Sequence, residues 1–148
     1  MRRPLLLDTN ILVHLIRGKE LGRKIMLQFD LANAVHRPLI SIVTVGEIRS
    51  LADQFQFGGE KREFLRKLLE SLVVLDISDN SVIDAYVEVD RACHQAAGGA
   101  RALSQNDLWI AATARAADAV LLTADKDFLF LHPHTCFVHY LDPKLDCE

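Results

Sequence analysis

Residues 104–123 read SQNDLWIAATARAADAVLLT, and their order decides the fold. Ser104 with Asp107 three residues later is a helix-start signal, the alanine-rich run after it sustains a helix, and VLLT at 120–123 is β-rich. Only Asp118 and Ala119 separate helix from strand. The helix must therefore run antiparallel to the strand, which puts its N-terminus at the strand's carboxyl edge.

The same alternation continues on either side. Strand-like runs lie at 5–8 (LLLD), 38–44 (PLISIVT), 73–77 (VVLDI) and 136–140 (CFVHY). Helical spacing with start signals occupies 21–35, 44–57, 61–72 and 79–97, and Gly98 and Gly99 break the last of these from the helix begun at Ser104. Alternating elements predict an α/β fold, a three-layer α/β/α domain over residues 1–148 with a mainly parallel sheet of about five strands. A chain of 148 residues is long enough to bury about 70% of the surface its unfolded form exposes.

With 50% apolar and 25% charged residues, seven glycines and four prolines, the composition excludes disorder and fibrous classes. Seventeen Lys and Arg against twenty Asp and Glu leave a net charge of −3. No global positive field draws in a nucleic acid or an anionic membrane, so any polyanion must bind locally. Cys93, Cys136 and Cys147 are odd in number and lack C-x-x-C spacing, which suggests neither a disulfide framework nor a zinc site and fits a reducing cytoplasm. The basic pair and apolar run at 2–7 imitate a secretory signal, but Asp8 and Asn10 interrupt them too early. The longest stretch without Asp, Glu, Lys or Arg, 128–141, has fourteen residues. A bilayer span needs about 20, so a soluble protein with no membrane partner is expected.

In open parallel sheets ligands bind beyond the carboxyl ends of the strands. The residues predicted there are Asp8 after the first strand, Glu47 one turn into the helix after the second, Asp107 in the first turn after Ser104, and Asp125 just after the fourth strand. Each has a bland explanation. Thr44-x-x-Glu47 and Ser104-x-x-Asp107 read as cap pairs, and Asp125 caps a short helix. Asp8 is harder to explain structurally, since it directly follows three leucines of a strand buried on both faces. Four converging carboxylates raise one another's pKa unless cations compensate. With no cysteine cluster or histidine pair beside them, they suit a hard ion, Mg²⁺ or Mn²⁺, whose coordination substrate phosphates complete.

The runs LLLDTNILV (5–13), TVGEI (44–48), NDLWIAATA (106–114) and LLTADKDF (121–128) together resemble the PIN-domain ribonucleases, in particular VapC-type toxins of toxin–antitoxin pairs. The resemblance covers most of the chain. It implies a PIN-like fold and Mg²⁺-dependent endonucleolytic cleavage of RNA, with Mn²⁺ as a substitute. It also implies 5′-phosphate and 3′-hydroxyl products, a cognate VapB-type antitoxin and a homodimer. Asp8, Glu47 and Asp107 fall on the family's metal acids and Asp125 on the usual fourth acid, with Asp127 a substitute for it. Thr9, Asn106 and Thr123 fall beside the acids, where the family orients water or carboxylates, although capping and turn roles suit them equally.

Phosphate contacts usually come from Lys and Arg. The densest basic stretch, Arg17, Lys19, Arg23 and Lys24, either lines an RNA groove or is a solvated helix face. Lys61, Arg62, Arg66 and Lys67 alternate with acids at the spacing of intrahelical pairs. Trp109, Phe128 and Phe130 are read as core rather than base-stacking residues, and His132 and His134, without a third ligand, are given no catalytic role. Two rival functions stand beside the ribonuclease. One is a haloacid-dehalogenase-like phosphatase with Asp8 as nucleophile, although Asn10 occupies the place of that family's second acid. The other is a PIN-like module that binds RNA or protein without cutting. No G-x-S-x-G turn exists to support acyl transfer.

Overall fold

The computed structural model describes residues 2–33 and 37–144. Five strands, β1 (Leu5–Leu7), β2 (Leu39–Ser41), β3 (Val73–Leu75), β4 (Val120–Thr123) and β5 (Phe137–Tyr140), form one sheet in the order β3-β2-β1-β4-β5. Every pairing is parallel. Successive side chains of a strand point to opposite faces, and the leucine runs use this. Leu6 and Leu121 enter one core with Val89, Ile110 and Phe128, while Leu7 and Leu122 enter a second core with Ile11, Ile40 and Ile48. Helices α1 (Thr9–Arg17), α2 (Glu20–Gln28), α3 (Ile42–Gln54) and α4 (Gly59–Glu70) serve the second core; α5 (Asn80–His94) and α6 (Gln105–Ala116) serve the first. The three layers follow from this alternation.

The structure corrects the sequence reading at three places. α1 was not anticipated, although Asp8 caps its start and Gly18, at φ 62°, closes its end. The strand expected over 38–44 stops at Ser41, whose hydroxyl accepts from the Val43 amide at 3.1 Å and starts α3. Thr44 is thus not a cap but a fully buried residue inside the helix. The helix expected over 21–35 ends at Gln28, and residues 34–36 lie outside the described ones. Phe128 is fully buried, and Trp109 and Phe130 pack against the same core, with Trp109 stacked on Tyr86 at 4.3 Å. Cys93 and Cys136 are buried free thiols, and burial pushes Cys136 up to about 12; Cys147 lies outside the described residues. No helix among the described residues is long and apolar enough to cross a membrane.

One glycine is demanded by packing. At Gly22 a Cβ would collide with the His14 carbonyl oxygen, because α2 folds back closely on α1. Gly22→Ala is expected to lower unfolding stability by about 1–2 kcal/mol, the steric cost exceeding the helix-propensity gain. Urea denaturation checks this, and an unchanged midpoint would contradict it.

Candidate metal centre

The strand order reverses direction between β1 and β4, the topological switch point at which parallel sheets bind ligands. Asp8 and Asp125 follow these two strands. The Asp8 amide donates to the Leu122 carbonyl at 2.9 Å, extending the β1–β4 ladder and leaving the carboxylate to cap α1. One carboxylate oxygen accepts from the Thr9 amide at 2.7 Å. The other accepts from the Thr123 hydroxyl at 2.7 Å and the Asn10 amide at 3.1 Å. The residue is only 4% exposed. Burial, above all, pushes its pKa up to about 6; the Thr123 and Thr9 hydrogen bonds oppose the rise, and the nearby negative charges of Asp107 and Glu47 add to it.

Glu47, in the second turn of α3, accepts from the Thr9 hydroxyl at 2.7 Å, and the Thr9 and Thr44 hydroxyls lie 3.1 Å apart. Asp107 lies in the first turn of α6, where its amide donates to the Ser104 hydroxyl at 3.1 Å, so the expected cap pair forms. Burial raises the Asp107 pKa most; a Ser104 hydrogen bond opposes this, and Asp125, Glu47 and Asp127 raise it further. Asp125 caps the 3₁₀ helix Lys126–Leu131 by accepting from the Asp127 amide at 2.9 Å, and its own amide donates to Thr123 at 3.0 Å.

Four elements far apart in sequence thus place acids within electrostatic reach of one another. Asp8, Glu47 and Asp125 each accept from hydroxyl or amide donors. Among the described residues no three His, Cys, Asp or Glu side chains stand ready as a ligand set. The donor type, hard carboxylate oxygen without thiolate or imidazole, suits Mg²⁺ or Mn²⁺.

Two contributors escaped the sequence reading. Asn10 receives the Ala124 amide on its carbonyl oxygen at 3.1 Å while donating to Asp8, and so ties the β4 loop to the β1 loop. Thr44 supports Thr9 from inside α3. An Asn two residues after an acid at a strand end was the available signal; for Thr44 there was none, because its role depends on α3 packing against α1.

Other candidates stand apart. Asn106 is exposed and lines a groove beside Glu47. Arg17 closes α1 eight residues after Thr9, about 12 Å along the axis. It shares a groove of about 370 Å³ with Lys61 and an apolar wall of Ile16, Leu51, Phe55 and Phe57, and Leu51 also borders the groove beside Glu47. Lys19 precedes α2, with Arg23 exposed and Lys24 half-buried on that helix. Arg66 pairs with Glu63 and Glu70 along α4, as the spacing predicts. His132 accepts from the Val138 amide at 3.0 Å, which is a structural bond.

The PIN domain family model matches residues 5–130. Among solved structures, a chain of VapBC2 from Rickettsia felis, bound to a DNA fragment from its promoter, has a TM-score of 0.74 at 22% identity, covering 93% of this chain and 98% of that one. A chain of DNA-bound VapBC from Salmonella typhimurium has a TM-score of 0.73 at 18% identity, covering 95% and 98%. For FitAcB from Neisseria gonorrhoeae the score is 0.67 at 22% identity, covering 90% and 95%. At these identities the likeness is one of fold. No curated protein matches the chain.

Proposed function

The chain belongs to the PIN-domain family, and on that premise we propose that it is a Mg²⁺-dependent endoribonuclease, the toxin of a VapBC-type toxin–antitoxin pair. The observation that carries the reading is Asp8: a carboxylate 4% exposed at the sheet's switch point, its pKa raised by burial and by two further acids. A fold gains nothing from such a cluster unless a cation joins it.

In this reading Asp8, Glu47, Asp107 and Asp125 hold the ion. Thr123 and Asn10 fix the rotation of the Asp8 carboxylate, and Thr9 aims Glu47. Asp127, exposed at the start of the 3₁₀ helix, contributes charge rather than a ligand. Mg²⁺, when bound, supplies the positive charge these acids lack and makes water a stronger nucleophile toward a phosphodiester. The chain's own part is to keep four anions poised and to hold Asp8 away from solvent.

The phosphatase reading is weaker, because the position where it needs a second acid is Asn10, whose amide is already engaged. Solved VapBC complexes of like fold support a cognate antitoxin as partner, and with it a toxin role. The test is incubation of end-labelled RNA with the purified chain in Mg²⁺ or EDTA, followed by mapping of the cut ends. Cleavage in Mg²⁺ alone, leaving 5′-phosphate and 3′-hydroxyl ends, is expected. Products ending in 2′,3′-cyclic phosphate would overturn attack by water, and no cleavage of any RNA would favour the non-cutting module.

A further inference from the structure

On α3, Gly46, Ser50 and Gln54 follow one another at four-residue spacing and Glu47 lies three residues before Ser50, the spacings that align side chains on one side of a helix. With Asn106 from α6 and the apolar side chains of Val43 and Leu51, these residues line an open groove of about 540 Å³, to which Glu47 itself belongs. The volume falls within the range of small-molecule pockets.

Gly46 is the telling residue. It is exposed in the interior of a helix, where glycine costs about 1 kcal/mol relative to alanine. A Cβ at this position would meet no atom within 4 Å, and Gly46 is not among the glycines with positive φ. Neither packing nor backbone conformation demands it. What the missing side chain does is leave the groove open beside Glu47.

The lining has a definite chemistry. Among the described residues no Lys or Arg lines the groove, and the one charge lining it is the negative Glu47, so a phosphate is disfavoured. Ser50, Gln54 and Asn106 are exposed, uncharged donors and acceptors, and none makes a side-chain hydrogen bond to another described residue. A neutral, flat group fits this lining, with Val43 and Leu51 offering apolar surface to its face and Ser50, Gln54 and Asn106 hydrogen-bonding groups to its edges, which is the description of a nucleobase in a single strand.

We propose that this groove receives the base of the nucleotide next to the scissile phosphate, with Gly46 providing the space and Ser50, Gln54 and Asn106 reading the base edge. The inference rests on the ribonuclease reading above and adds to it a site of sequence selection. Gly46→Leu projects a side chain from a position where a Cβ meets nothing within 4 Å, and Gln54→Ala removes a reading group without filling the groove.

The experiment compares both variants with the native chain in full length. Cleavage of a random-sequence RNA pool, KM and kcat on one oligoribonucleotide, Mn²⁺ affinity by calorimetry and mass by light scattering are measured. Gly46→Leu is expected to raise KM about tenfold or more, with a smaller change in kcat and unchanged Mn²⁺ affinity. Gln54→Ala is expected to flatten base preference at one position beside the cut. Native KM and base preference in both variants would overturn the subsite while leaving the nuclease intact. So would a loss of Mn²⁺ affinity in Gly46→Leu, or a change in its oligomeric state, which would make the groove a contact between copies. A native chain that cuts no RNA removes the parent reading itself and is thereby distinguished.

Discussion

Asp8→Asn is expected to reduce Mg²⁺-dependent RNA cleavage by about a thousandfold or more while the apo protein stays folded. Asp107→Asn is expected to act in the same direction. Asp8 ties two separate parts of the site together: the α1 start, through Thr9 and Asn10, and the β4 end, through Thr123. Asn at position 8 keeps the shape of the cap but loses one negative charge and one anionic oxygen, so the ion is held weakly. Circular dichroism and urea unfolding of the variants establish that the fold is retained. Native cleavage rates in folded Asp8→Asn would remove the metal assignment.

The second large effect is on stability and runs opposite to that of most carboxylates. Asp8 titrates at about 6 in the folded chain, against 3.8 for the unperturbed group. The folded state therefore binds its proton more tightly than the unfolded state does. The Asp8 contribution to stability is complete below the unfolded value and is lost as pH rises through the folded one. The shift corresponds to about 3 kcal/mol in all, about 2 of it between pH 4.5 and 7.5.

Other groups titrate too, so the quantity to measure is the unfolding free energy of the native chain minus that of Asp8→Asn, in EDTA, across this range. The difference is expected to turn steadily against the native chain as pH rises. At pH 7.5 saturating Mn²⁺ should stabilise the native chain far more than the variant. Parallel pH curves for the two proteins would contradict both the burial argument and the charge coupling. The site is thus a place where stability is given up for function, because the ionised Asp8 is an anion among anions until a cation arrives.

The particular residues show where legibility stopped. Ser104 with Asp107, Asp125 before a short helix, and five β-rich runs could be read because their signals lie within a few neighbours along the chain. The end of β2 was misplaced because Ile42, Val43 and Thr44 favour strands, and a single buried hydroxyl, that of Ser41, turns them into a helix. α1 was missed because the bonds that set its start are long-range. Those of Asp8 and Asn10 with Thr123 and Ala124 bridge 115 and 114 positions of sequence, beyond any local pattern.

By itself the sequence determined the alternation of elements, the parallel sheet, and the positions of Asp8, Glu47, Asp107 and Asp125 in those elements. Periodicity, capping and turn chemistry act between near neighbours, so they are written in order along the chain. Tertiary structure alone decided that Thr9 bonds Glu47, that Asn10 joins the two loops, that Arg17 shares a groove with Lys61, and that Gly46 borders an open groove. Those outcomes depend on which helix faces meet across the sheet, and packing settles them only once the whole chain has closed on its two cores.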